Sequence, residues 1–128
     1  LLVAIHKLVK DVESIGLTDT ILFSSFNFFV LEHLRSLSAN VRLGVLYCHP
    51  FSEFDPIQVC GLLKAYSLHP HISLTDAPLV STMHQIGVKV MPYTLNDPEM
   101  MRNLIFCGID GAFSDYPERL RFEADAYR

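Results

Sequence analysis

At 128 residues the chain is the size of one domain, and with half of its residues apolar it can bury a sizeable core. Ten basic against 14 acidic residues give a formal charge of -4 with no Lys/Arg cluster, which disfavours binding to a nucleic-acid backbone. Mean hydropathy is +0.28 with 19% charged residues, yet no apolar run approaches the roughly 18 to 20 residues of a membrane span, so the apolarity suits strands buried on both faces.

Leu2, Ile5, Leu8, Val9, Val12 and Ile15 recur at spacings of three and four, which predicts a helix that stops at Gly16. A first strand follows at about Thr20 to Ser24. Asn27 is a natural cap for a helix from Phe28 to Leu37, with Val30, Leu31, Leu34 and Leu37 inward and Glu32, His33 and Arg35 outward. The second strand is Arg42 to Tyr47, and Asp55 before Pro56 opens a short helix that ends near Lys64. A third strand, Ala65 to Leu68, leads into His69-Pro70-His71, and Thr75 opens a helix that closes at Gly87. Strand Val88 to Tyr93 comes next, then a helix capped by Asn96 or Asp97 and ended by Gly108. The last strand, about Ile109 to Ser114, reaches Asp115, the expected cap of a helix from Pro117 to the C-terminus.

Five strands alternating with six helices imply right-handed crossovers and a parallel sheet, either an open doubly wound sheet or part of a barrel. A flavodoxin-like binding or signalling domain accommodates five strands in this length, but Ser24-Ser25-Phe26-Asn27 after the first strand is neither a glycine-rich cradle nor an acidic cluster. A third reading is a non-catalytic interaction module that pairs through an exposed sheet edge. Cys48, Cys60 and Cys107 are odd in number, widely spaced and set among apolar residues, so they read as buried thiols in a reducing, cytoplasmic compartment. The chain begins Leu1-Leu2-Val3 without Met, and His6 and Lys7 interrupt what would be a signal-peptide core, so it is expected to be cut from something longer.

The segments Leu22-Phe23-Ser24-Ser25-Phe26, Leu43-Gly44-Val45-Leu46-Tyr47, Ser67-Leu68-His69-Pro70 and Pro92-Tyr93-Thr94-Leu95-Asn96, with Asp110-Gly111 through Ser114-Asp115-Tyr116-Pro117, together resemble the C-terminal half of the glycerophosphodiester phosphodiesterase family. The resemblance covers about Leu8 to Leu120; it departs at Tyr93, where many members carry Trp, and at Ser114, where many carry Thr. It implies the C-terminal half of a TIM (β/α)8 barrel related to the phosphoinositide-specific phospholipases C. Residues 1–128 would then be the C-terminal part of an enzyme that releases an alcohol and glycerol 3-phosphate from glycerophosphodiesters. It also implies that the His-Arg-Gly motif, the Glu-x-Asp metal pair, the second catalytic His and the Glu-x-Lys strand lie upstream of Leu1, so this chain holds no catalytic residue and is expected to be inactive alone. A divalent metal, Mg²⁺ or Ca²⁺, would take its ligands from that missing N-terminal half, and the missing half or another chain would cover the open barrel edge.

Within the chain, substrate-pocket candidates sit at strand ends. Tyr93 offers an apolar ring with a polar tip for a pocket wall, with core packing as the competing role. Phe26 is placed to face the alcohol portion of a substrate or to pack under the next helix, and His69 to face the head group or to bond backbone in a loop. Asn96 is a phosphate donor or, better, a helix cap. His69-x-His71 with Cys48-His49 is a weak transition-metal pattern, Asp97, Asp110 and Asp115 read as caps or turns rather than ligands, and Ser24 and Ser25 lack the His/Asp arrangement of a nucleophile.

Overall fold

The computed structural model describes residues 1–48 and 54–128. Helix α1 (Leu2–Ser14) buries Ile5, Val9 and Val12, while Leu2, Leu8 and Ile15 of the predicted stripe stay exposed. Strand β1 (Leu22–Ser25) starts later than expected, because the Thr20 and Ile21 amides both donate to Leu17 O in a turn. Helix α2 (Phe28–Leu37) is capped as predicted, Asn27 Oδ1 accepting from the amides of Phe29 at 2.9 Å and Val30 at 3.3 Å.

Arg35 of α2 corrects the sequence reading, since its guanidinium turns inward. It donates from Nε to Leu63 O at 2.8 Å, from Nη1 to the carbonyls of Ser38, Ala39 and Val41, and from Nη2 to Lys64 O at 3.2 Å. A planar fork with five N–H groups is the side chain able to collect orphan carbonyls from two helix ends and a strand entry at once.

Strand β2 (Arg42–Tyr47) falls where predicted, and α3 (Pro56–Leu63) is capped by Asp55 through the Ile57 amide at 3.0 Å. Strand β3 (Ser67–Pro70) runs two residues beyond the expected end and takes in His69. A one-turn 3-10 segment (Ile72–Leu74) then uses Thr75, whose hydroxyl donates to His71 O, so Asp76 and not Thr75 caps α4 (Ala77–Gln85). Strand β4 is Lys89–Val90, α5 is Pro98–Phe106 with Asp97 as cap, and α6 is Pro117–Tyr127 with no side-chain cap.

The sheet has four parallel strands in the order β1-β2-β3-β4. That unbroken sequence is how a barrel progresses and differs from the 2-1-3-4-5 order of a flavodoxin-like sheet, so the flavodoxin alternative falls. The fifth strand expected at Ile109 to Ser114 does not form a ladder among the described residues. Its backbone still follows β4, with Asp110 N donating to Val90 O at 2.9 Å and Phe113 N to Pro92 O at 2.9 Å. Regular pairing fails because the Val90 amide donates to the Asp110 carboxylate at 2.7 Å instead of a neighbouring carbonyl, and because Pro92 has no N–H to offer.

Side-chain alternation assigns the two sheet faces. Leu43, Val45, Leu68, Val88 and Val90 join the main core with Leu31, Leu34, Val59, Leu63, Val80 and Met83 of the helices. Ser24, Gly44, Ser67 and His69 have the opposite parity and line the face that these helices do not cover. There a Cβ at Gly44 would stand 2.8 Å from His69 Cδ2 and 3.3 Å from Ser24 Cβ, so the absence of a side chain makes room for the imidazole.

Candidate functional site

The C-terminal ends of parallel strands converge on one rim, where backbone groups and loop side chains are available to a ligand. Here the rim is built around Tyr93, which follows β4 and bridges to His71 after β3. Its ring stands edge-on to two others, Phe26 with centroids 6.1 Å apart at 83° and His71 with centroids 5.5 Å apart at 84°. Edge-to-face pairs of this kind are worth roughly 0.5–1.5 kcal/mol each beyond area burial, so the three rings hold one another in a fixed column.

The phenol of Tyr93 is pushed up to about 12 by burial, by hydrogen bonding with the Cys48 thiol and by the charge that Cys48 can carry. It therefore stays protonated through the neutral range and remains a donor. His71 is oriented from below: its Nδ1 accepts from Ser73 N at 3.1 Å and pairs with Ser73 Oγ at 2.7 Å. An accepting Nδ1 in the neutral ring leaves the proton on Nε2, which forms no hydrogen bond among the described residues.

Asn96 corrects the expectation of a helix cap, a role that belongs to Asp97, whose carboxylate accepts from Met100 N at 2.9 Å. Asn96 instead clamps two rim loops together. Its Oδ1 accepts from Asp115 N at 2.9 Å and Ser114 Oγ at 3.2 Å, while its Nδ2 donates to Asp115 Oδ2 at 2.8 Å. Asp115 is thereby drawn away from α6, which explains why that helix begins without the cap expected of it. One N–H of Asn96 remains for another acceptor.

His69 lies below the rim, 0% exposed, inside β3 rather than in a loop. Its Nε2 pairs with Ser67 Oγ at 2.8 Å, its ring lies 5.0 Å from that of Phe113, and Nδ1 has no hydrogen-bond partner among the described residues. Burial lowers its pKa; the Met91 backbone favours the charged ring more weakly, without a well-formed bond to Nδ1, and the ring is neutral at pH 7.

Among the described residues, no group of three or more His, Cys, Asp or Glu side chains is arranged to hold a metal ion. His49 of the Cys48-His49 pattern lies outside the described residues. Asp110, the third carboxylate singled out by sequence, accepts from His84 Nε2 at 2.7 Å as well as from Val90 N. The described residues thus offer no divalent-cation site. Ser25 Oγ accepts from Asn27 N at 2.9 Å, a turn role that leaves no activated hydroxyl. Of the cysteines only Cys60 is buried, its thiol pushed up to about 12 by burial and by nearby Asp55; Cys48 and Cys107 are half-buried, against the expectation of three buried thiols.

Sequence reasoning put Phe26 and Tyr93 together at strand ends, and they touch. It missed the role of His71 and Ser73 beside them. Carrying the strand through Pro70 would have found them, because alternation then sets His69 inside and His71 two residues on, at the rim, on the same face.

A family model for the glycerophosphoryl diester phosphodiesterase family matches residues 3–119. The chain is 32% identical over 115 residues to a glycerophosphodiester phosphodiesterase of Caldanaerobacter subterraneus subsp. tengcongensis, covering 90% of this chain and 46% of that protein. It is 27% identical over 116 residues to a glycerophosphodiester phosphodiesterase of Bacillus altitudinis, covering 89% and 46%. Among solved structures, a glycerophosphodiester phosphodiesterase from Parabacteroides distasonis superposes with a TM-score of 0.84 at 20% identity over 98% of this chain and 52% of that one. A phosphodiesterase from Oleispira antarctica, in complex with the product sn-glycerol-3-phosphate, superposes with a TM-score of 0.71 at 26% identity over 94% and 50%. The chain thus spans about half the length of the relatives it matches.

Proposed function

The chain belongs to the glycerophosphoryl diester phosphodiesterase family, and from that premise we propose that it supplies the substrate-pocket side of a barrel that hydrolyses glycerophosphodiesters to an alcohol and glycerol 3-phosphate. The observation that carries this reading is the ring column Phe26, Tyr93 and His71 at the strand ends, with the Asn96 clamp beside it.

In this reading Phe26 and Tyr93 form an apolar wall for the departing alcohol, and the protonated Tyr93 hydroxyl donates to a glycerol hydroxyl or a phosphate oxygen. The Nε2–H of His71 and the remaining N–H of Asn96 are further donors, and His69 sits beneath them as a neutral, buried support for the pocket floor. Such groups bind and orient; they hold the diester so that a displacement elsewhere on the rim is in line. Proton transfer and charge stabilisation at phosphorus come from residues outside this chain, as does the Mg²⁺ or Ca²⁺ that the family's chemistry employs. The chain alone is inactive, its open edge is covered by the other half of the barrel, and its three cysteines, none of them in a disulfide, suit the cytoplasm. Among the described residues no helix is long and apolar enough to cross a membrane.

The test is glycerol 3-phosphate release from glycerophosphocholine by the protein that carries this chain, with and without a chelator. Release that stops on chelation and returns on adding Mg²⁺ or Ca²⁺ is expected; release that survives complete metal removal would refute the metal-dependent reading.

A further inference from the structure

At the end of the sheet opposite the rim, two cations meet one aromatic ring. Arg42 opens β2, Lys89 opens β4, and Tyr66 stands immediately before β3. The guanidinium carbon of Arg42 lies 4.7 Å and Lys89 Nζ 5.9 Å from the centroid of the Tyr66 ring, both within reach of a cation–π contact. Two like charges gathered on one ring repel each other, and an anion beside them removes that cost. Among the described residues neither cation enters an ion pair. Asp110, whose carboxylate meets the backbone one residue beyond Lys89, is already held by Val90 N and His84 Nε2, both at 2.7 Å.

The ladder register places both cations on one face of the sheet. Lys89 pairs with Ser67, Ser67 pairs with Gly44, and Arg42 comes two residues before Gly44, so Arg42 and Lys89 share the face of Gly44, Ser67 and His69 that the helices do not cover. In a closed barrel that face is the interior, filled by layers of four side chains taken from alternate strands. β2 and β4 are alternate strands, and Lys89 stands one side-chain repeat above Arg42 in the ladder, the stagger that tilted strands impose on members of one layer. The lowest layer then receives two cations from this chain, and its other two members come from strands that this chain does not supply. Closing the barrel takes these charges out of water, where an unpaired cation is costly enough that interior charges are found with partners.

Resting on the barrel of the proposed function, we infer that Arg42 and Lys89 are the cationic half of an ion-paired floor layer, and that the strands completing the barrel set at least one Asp or Glu carboxylate against them. Arg42 brings a planar fork and Lys89 a compact point charge, and the Tyr66 ring gathers both heads at the floor. Opposite charge at this level then helps to fix which strands close on this half and in which register.

The experiment treats the protein that carries this chain with a water-soluble carbodiimide, which joins an amine to a carboxylate in contact with it as an amide, and maps the linked peptides by mass spectrometry. Lys89 is expected to link to an Asp or Glu outside residues 1–128, while Lys7 and Asp11, 3.3 Å apart on the surface, report that the reaction has worked. Lys89→Arg should abolish the link and keep the thermal midpoint within about 2 °C, whereas Arg42→Glu/Lys89→Glu should lower it by about 6 °C or more. Reversing the linked acid to Lys in that double variant should restore at least half of the loss. No link at Lys89 where Lys7 and Asp11 are joined, a link only to Asp110 or another acid of this chain, or strictly additive losses would overturn the inference. So would a midpoint that phosphate raises more than chloride at equal ionic strength in the wild type but not in Arg42→Glu/Lys89→Glu, since the layer would then hold a free anion. A Lys89 link in a protein that does not hydrolyse glycerophosphocholine would sink the enzymatic reading and leave the floor pairing intact; hydrolysis without the link would do the reverse.

Discussion

The two ends of the sheet are built in different ways. At the floor, where strands begin, polar groups are spent on holding the fold: Arg35 gathers five carbonyls, and Asp110 ties the Val90 amide to His84. At the rim, rings meet edge to edge, a tyrosine stays protonated, and a histidine and an asparagine keep donors that have no partner among the described residues. The contrast teaches where to look for function in a half-barrel: it lies where side chains are fixed by their neighbours yet retain unused hydrogen-bonding capacity.

Substitutions should separate the two ends. Arg35→Ala is expected to cost the most, about 2–4 kcal/mol in a denaturant titration, because five carbonyls, three of them in part-buried bonds, lose their partner together. Arg35→Lys should recover less than half, since an ammonium cannot reproduce the fork; an Arg35→Ala protein of unaltered stability would break the contrast at the floor. Gly44→Ala, midway between floor and rim, should cost about 1–3 kcal/mol through collision with the His69 ring. In a His69→Ala background the same change should cost measurably less, and strict additivity would remove the steric explanation.

His69 also sharpens the comparison through pH. Burial lowers its folded-state pKa, so the unfolded chain takes up the proton first as pH falls below the ordinary histidine value of about 6.5. Its contribution is absent above that value and becomes increasingly destabilising as pH falls towards the folded-state pKa. His69→Gln should flatten the loss of stability between about pH 6.5 and 5 relative to the wild type; parallel pH profiles would show that the ring is not buried neutral. The smallest effect on stability belongs to the rim, where Asn96→Ala should cost no more than about 1 kcal/mol. Its signature is local: amide exchange at Asp115 should accelerate while that at Val90 is unchanged, and equal effects at both would deny the clamp.

Much of this fold was legible because its signals are local. Asn27, Asp55 and Asp97 cap the helices they precede, and β2 lies where its apolar run lies. What escaped was decided by distant partners. Arg35 resembles any exposed helical arginine until Leu63 and Lys64 come back to meet it, and Asp115 resembles a cap until Asn96 takes its carboxylate. The missing fifth strand depends likewise on Asp110 replacing a backbone acceptor across a gap of twenty residues, which no periodicity records.

The most direct test of the pocket wall is the steady-state kinetics of glycerophosphocholine hydrolysis by the protein that carries this chain, wild type against Tyr93→Ala, with thermal midpoints measured in parallel. A rim that binds and orients predicts a KM raised about tenfold or more, consistent with losing one ring and one donor, with only a small shift in midpoint. Unchanged KM and kcat with a clearly lowered midpoint would contradict the account and return Tyr93 to the core.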